Sequence, residues 1–188
     1  GSAAAGIGDL DRDGVPDLAA GAPGDDTGGT DRGALYVLRM NRDGSVRTRL
    51  KIADSTGGLG PLADGDQFGR GAGAIGDLDR DGVPDLAVGA PGDDTGGTDR
   101  GALYVLFPYR DGVVRGSAKI ASDSGGMGPL TDGASFGRSA AGIGDLDREV
   151  LTHVVGDVDL EQVHLLLTEV EPGAVEVEVG PVGPFAEP

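Results

Sequence analysis

The sequence predicts an all-β fold assembled from β-propeller blades of four antiparallel strands, about two to three blades in all. Three observations carry this reading. First, a 68-residue period runs through the chain: residues 9–38 and 77–106 agree at 29 of 30 positions and differ only at Ala20 and Val88. A fixed period of this length signals a repeat architecture. Second, each period holds short apolar runs of strand composition separated by Gly-, Asp- and Pro-rich turns. Third, glycine and proline recur too densely in and around these runs for helices to continue.

The second period displays the elements in order. Ala72–Ile75 is a run of small residues that leads into an acidic loop. Leu86-Ala87-Val88 leaves that loop and stops at Gly89-Ala90-Pro91. Ala102–Phe107, with Tyr104 and Val105, has good β composition. Arg110-Asp111-Gly112 carries the Asp-Gly signal of a tight hairpin, and Val113–Ile120 runs back. A repeated four-stranded meander is the unit of a propeller blade. Apolar residues on both faces of Leu35-Tyr36-Val37-Leu38 predict a sheet covered on both sides. Up-and-down connection puts the acidic loops and the hairpins at one end. Segments 24–33, 53–67, 92–101 and 121–135 then gather at the other end, free to bind a partner.

The acidic loop is Asp-Leu-Asp-Arg-Asp-Gly-Val-Pro-Asp, at residues 9–17 and again at 77–85. Carboxylates this close repel one another unless a cation sits among them. Ca²⁺ takes six to eight oxygen ligands. In the first loop Asp9, Asp11 and Asp13 would offer side-chain oxygens, Val15 its carbonyl, and Asp17 would close the shell. In the second loop the corresponding set is Asp77, Asp79, Asp81, the Val83 carbonyl and Asp85. Gly14 and Gly82 stand at the bends, where a missing Cβ frees the backbone. Oxygen-only ligation argues against zinc or copper. An EF-hand is excluded: its bidentate Glu belongs at the twelfth loop position, which here is Ala20 or Val88. A third copy starts at Gly144-Asp145-Leu146-Asp147-Arg148 and then degrades. Glu149, Val150 and His153 replace the third Asp, the bend glycine and the closing Asp, so weak metal binding or none is expected there.

Phe68-Gly69, followed by Gly76-Asp77-Leu78-Asp79-Arg80-Asp81-Gly82-Val83-Pro84-Asp85 and Leu86-Ala87-Val88-Gly89-Ala90-Pro91, resembles the FG-GAP repeat, the blade unit of integrin α-subunit β-propellers and of many secreted and surface proteins. The resemblance covers about residues 1–148. It implies a seven-bladed propeller with Ca²⁺ in the acidic loops of one face and partner recognition on the other. It also implies a metal that stiffens the loop without catalysing anything, and a role in extracellular adhesion or protein recognition. A seven-bladed ring of this period is longer than the 188 residues of the chain, so the sequence reads as part of a larger propeller. Exposed blade faces then call for further blades or self-association.

Composition changes at residue 149. Residues 1–148 hold 23 Asp, no Glu and all 15 Lys and Arg; residues 149–188 hold 7 Glu, 2 Asp, both histidines and no Lys or Arg. The expected organisation is therefore a repeat region, 1–148, and a divergent acidic Val/Glu/Pro tail, 149–188. Within the tail, 150–155, 163–167 and 174–179 have strand-like patterns, with a short helix over 160–170 as the alternative. The net charge of −17 argues against nucleic acid and anionic membranes as partners. No apolar run approaches a membrane span, and the absence of cysteine removes disulfide and thiol chemistry. Catalysis within this chain is not expected, since no Ser-His-Asp set is visible. Residues 24–33 lack the Gly-Lys-Ser/Thr ending of a phosphate loop. Loops of this kind suit the millimolar calcium outside cells. The leading reading is a calcium-binding, non-catalytic recognition segment, extracellular or at the cell surface. The alternatives are an accessory repeat region of a larger secreted enzyme and a purely structural calcium-binding array.

Overall fold

The computed structural model describes residues 3–144. The expectations for the third acidic loop and for the tail lie outside the described residues. Eight strands form two antiparallel sheets of the same design. β1 (Ala4–Gly8), β2 (Asp17–Ala22), β3 (Ala34–Met40) and β4 (Val46–Ala53) pair in the order β1-β2-β3-β4. β5 (Ala72–Gly76), β6 (Asp85–Ala90), β7 (Ala102–Pro108) and β8 (Val114–Ala121) repeat that order. These are two β-propeller blades, and every strand expected in the second period is present within two residues of its expected ends. The register repeats as well: Leu18 faces Leu38 and Ala20 faces Tyr36 in the first sheet, while Leu86 faces Leu106 and Val88 faces Tyr104 in the second. β1 and β5 each slip register at their last residues, between Gly6 and Gly8 and between Ala74 and Gly76. A bulge there bends the chain into the acidic loop that follows.

The core lies between the sheets. The first contributes Ala19, Leu35, Val37 and Ile52; the second contributes Leu86, Val88, Tyr104 and Leu106. Period-2 alternation accounts for the division, because residues two apart share a face and cross-strand partners share it with them. Each fully buried Leu, Ile or Val contributes roughly 1.5–3 kcal/mol of transfer free energy. The expectation that Leu35-Tyr36-Val37-Leu38 is covered on both sides is met on one side only. Leu35 and Val37 are buried, Tyr36 and Leu38 are half-buried, and Leu18 beside them is 37% exposed. Among the described residues no sheet lies against that face of the first blade. The equivalent face of the second blade, Leu86, Val88, Tyr104 and Leu106, is the one packed on the first.

Phe68-Gly69 stitches the blades together. Phe68 is wholly buried, its N–H donates to the Arg32 carbonyl at 2.9 Å, and the Gly69 N–H donates to the Gly89 carbonyl at 3.0 Å. The Phe68 ring meets Tyr104 edge to face, with centroids 5.4 Å apart. Gly69 has φ +87°, and a Cβ on Gly21 would run into the Gly69 carbonyl. The glycine of each Gly-Ala-Pro is therefore in close backbone contact with the glycine of the following Phe-Gly, Gly21 with Gly69 and Gly89 with Gly137. The loop between β2 and β3 closes onto the segment after β4 through Arg32, which meets Asp64 at 2.7 Å and Asp54 at 3.3 Å. This leaves the acidic loops and the β3–β4 and β7–β8 hairpins at the opposite ends of the sheets, as the up-and-down connection requires.

Candidate metal centre

Each acidic loop links the first two strands of its blade. Its aspartates first serve the loop's own backbone. Asp9 accepts the Asp13 N–H at 3.0 Å and the Gly14 N–H at 2.8 Å; Asp77 accepts the Asp81 N–H at 3.0 Å and the Gly82 N–H at 2.8 Å. Asp13 and Asp81 accept the N–H of Val15 and Val83 at 2.8 and 2.7 Å. Asp17 and Asp85, the first residues of β2 and β6, are wholly buried and take the N–H of Leu10 and Leu78 at 3.0 and 2.7 Å. Such side-chain-to-backbone bonds explain why Asp is placed at alternate positions of a tight loop. Arg12 and Arg80, both at φ +61°, take the left-handed conformation between the second and third aspartates. For residues other than glycine that conformation is costly.

The fold brings three of the expected ligands of each loop together. Asp9, Asp11 and Asp17 each present an oxygen within 4.8 Å of the others, and Asp77, Asp79 and Asp85 do the same. Oxygens that share one Ca²⁺ at ~2.4 Å stand no more than about 4.8 Å apart, and both clusters meet that condition. Asp13 and Asp81 lie outside these groups of three. Val15 is half-buried, and Val83 is packed into the core. Two oxygens test whether a cation suits the sites: Asp11 Oδ1 and Asp85 Oδ1 are buried and without a hydrogen-bond partner. A buried carboxylate oxygen with no donor is expensive, and a hard cation is what would satisfy it. Burial, followed by the nearby charges of Asp79 and Asp77, raises the Asp85 pKa above the ordinary carboxylate value, against the pull of the Leu78 N–H.

Arginines from β4 and β8 also reach the loops, which inspection of the motif alone does not reveal. Arg47 pairs with Asp11 and Asp13; Arg115 pairs with Asp79 and, at 2.7 Å, with Asp81. Arg39 lies 3.7 Å from Asp11. The usable signal was the shared phase of Arg47 and Arg115, 68 residues apart.

A second polar cluster recurs at the other end. Asp93 is buried and meets Lys119 Nζ at 2.5 Å, the Tyr104 hydroxyl at 3.2 Å and the Thr95 N–H at 2.9 Å. In the first blade, Asp25 meets Lys51 at 2.7 Å and the Thr27 N–H at 3.0 Å. Burial pushes the Asp25 carboxyl up, but Lys51 and Thr27 outweigh it and hold the pKa at about 2. These groups satisfy one another and anchor the loops 24–33 and 92–101.

Comparison with known proteins agrees with the blade architecture. The model of the FG-GAP repeat matches residues 1–38 and 68–106. Human integrin alpha-6 is 36% identical over 141 residues, which is 74% of this chain and 11% of that protein. Human integrin alpha-IIb is 39% identical over 120 residues, 64% of this chain and 10% of that protein. The phosphatidylinositol-glycan-specific phospholipase D of Bos taurus is 37% identical over 118 residues, 60% of this chain and 14% of that protein. The chain thus spans about a tenth of the length of the curated relatives it matches.

Proposed function

Residues 1–38 and 68–106 are FG-GAP repeats, and from this we propose that the chain is a calcium-binding, non-catalytic β-propeller segment serving extracellular adhesion or protein recognition. The observation that carries the metal reading is the pair of acidic clusters, one at the same place in each blade, with the buried and unpartnered oxygens of Asp11 and Asp85. The ligands proposed are Asp9, Asp11, Asp13, the Val15 carbonyl and Asp17 in one loop. In the other they are Asp77, Asp79, Asp81, the Val83 carbonyl and Asp85. When bound, the ion neutralises the crowded carboxylates and stiffens the loop that begins β2 or β6. The chain's own residues do the rest. Asp9 and Asp77 fold the loop about its bend, while Asp17 and Asp85 tie it to the core through Leu10 and Leu78.

Residues 1–148 are proposed as the repeat region and 149–188 as a separate acidic tail. The half-exposed face of the first blade, Leu18, Tyr36 and Leu38, is proposed to take a further blade, since its counterpart in the second blade is an interface. Among the described residues no helix is long and apolar enough to cross a membrane. A second reading, an accessory region of a larger secreted enzyme, is favoured by the match to phosphatidylinositol-glycan-specific phospholipase D.

Titration calorimetry with CaCl₂ on the full chain tests the metal reading. Heat of binding is expected, with Asp79→Ala abolishing it at the second loop and leaving the first nearly intact. Absence of heat up to about 10 mM, above the range of weak extracellular modules, would refute it.

A further inference from the structure

The two acidic loops have the same nine residues, but the chain around them differs. Residues 39–40 at the end of β3 are Arg-Met, whereas 107–108 at the end of β7 are Phe-Pro. The Met40 N–H donates to Asp17 Oδ1 at 3.0 Å. Pro108 has no N–H to give, and Asp85 Oδ1 is left buried without a partner on a side chain that is wholly shielded from solvent. The second difference is one of charge. Asp11 has Arg39 at 3.7 Å in addition to Arg47. The counterpart of Arg39 is Phe107, so Asp79 meets Arg115 alone. The first loop therefore carries one more guanidinium, at Asp11, and an N–H donor on Asp17 that Asp85 lacks, while Asp79 Oδ1 accepts the Asp81 N–H at 3.3 Å where Asp11 Oδ1 accepts none.

We propose that the two loops are unequal cation sites, and that Phe107-Pro108 makes the second loop, built on Asp77, Asp79 and Asp85, the tighter one. This rests on the reading that the loops bind divalent cations. A cation arriving at Asp85 finds an oxygen with no hydrogen bond to share. At Asp17 it shares that oxygen with a charge-assisted bond, and at Asp11 it must approach two guanidinium groups. Two features work the other way. Asp11 Oδ1 is also unpartnered, though two arginines already offset the charge of that carboxylate. Arg12 donates to the Gly82 carbonyl at 2.6 Å, bringing a positive charge to the bend of the second loop. It is exposed there, and solvent and salt screen it. A charge-assisted hydrogen bond and a near guanidinium together correspond to an affinity gap of about tenfold or more.

Calcium titration of the full chain by calorimetry tests this. Wild type is expected to show two classes of site about tenfold apart. Asp79→Ala should remove the tighter class and Asp11→Ala the weaker. Pro108→Ala, which restores an N–H, should weaken the tighter class several-fold. Arg39→Phe should tighten the weaker class, and it keeps the idea refutable if Pro108→Ala does not fold. Two indistinguishable classes, or loss of the weaker class in Asp79→Ala, would overturn the inequality while leaving cation binding in place. No binding in wild type up to about 10 mM would overturn both.

Discussion

Replacing Phe68 by alanine tests how the blades hold together. Phe68 has no exposed surface, sits in the core between the sheets and meets Tyr104 edge to face. Truncating a buried Phe to Ala costs about 3–5 kcal/mol, of which the lost aromatic pair accounts for about 0.5–1.5. Against a total stability of about 5–15 kcal/mol, that is a large fraction. At about 4 °C per kcal/mol for a unit of this size, the melting temperature should fall by about 12–20 °C. The repeat supplies its own control, because Phe136 occupies the same motif position with the same backbone bond to Arg100 but is only half-buried. Phe136→Ala should cost less than half as much. Urea unfolding followed by circular dichroism gives both values. The reasoning fails if Phe68→Ala costs under about 1 kcal/mol, or if the two substitutions cost the same.

Gly89→Ala places a methyl group against the Gly137 carbonyl and should cost more than about 2 kcal/mol, while Gly6→Ala, which meets nothing within 4 Å, should be nearly neutral in the same urea assay. Lys119→Met leaves the buried Asp93 without its cation and should destabilise by about 2 kcal/mol; Asp93→Asn in the same chain should restore part of it. In acid, the folded Asp25 pKa of about 2 lies below its ordinary value of 3.8, so its stabilising contribution is full above about pH 4 and is lost as pH falls through about 2. Asp93 shifts in the same direction, because Lys119 and Thr95 outweigh its burial. Melting temperatures from pH 5 to pH 2 should therefore fall less steeply in Asp25→Asn than in wild type, and equal slopes would count against the pairing.

Much of the fold was legible because the repeat says everything twice. Strand positions followed from apolar runs between turn residues, and the Asp-Gly signal at Asp111-Gly112 is a hairpin in which the Gly112 N–H meets the Tyr109 carbonyl at 2.8 Å. The acidic loops were visible as a local motif, and the fold gathers their first, second and last aspartates. The arginine partners were not visible, because Arg47 lies 36 residues from Asp11 in sequence and only the return of β4 along the sheet brings it to the loop. The contrast of Met40 with Pro108 was equally hidden. Its meaning depends on one N–H aimed at one carboxylate oxygen, which no periodicity encodes.

Burial was the least legible property, and the reason is general to repeats. Leu18, Tyr36 and Leu38 lie in a stretch whose copy contains Leu86, Tyr104 and Leu106, so local sequence assigns both sets the same fate. Yet Leu18 is 37% exposed and Leu86 is 1% exposed. The difference comes entirely from the neighbour, since Leu86 lies against the first blade and no described residue supplies a sheet for Leu18. A blade of this kind carries half of two cores and all of none, so its apolar pattern specifies which faces seek a partner, and the adjoining blade determines whether they are covered. The same logic applies to the metal loops, where identical ligands meet different β3 and β7 ends. In both cases the copies diverge where the near-identical stretches 9–38 and 77–106 touch something beyond themselves, and there the unequal burial of Leu18 and Leu86 and the unequal oxygens of Asp17 and Asp85 arise.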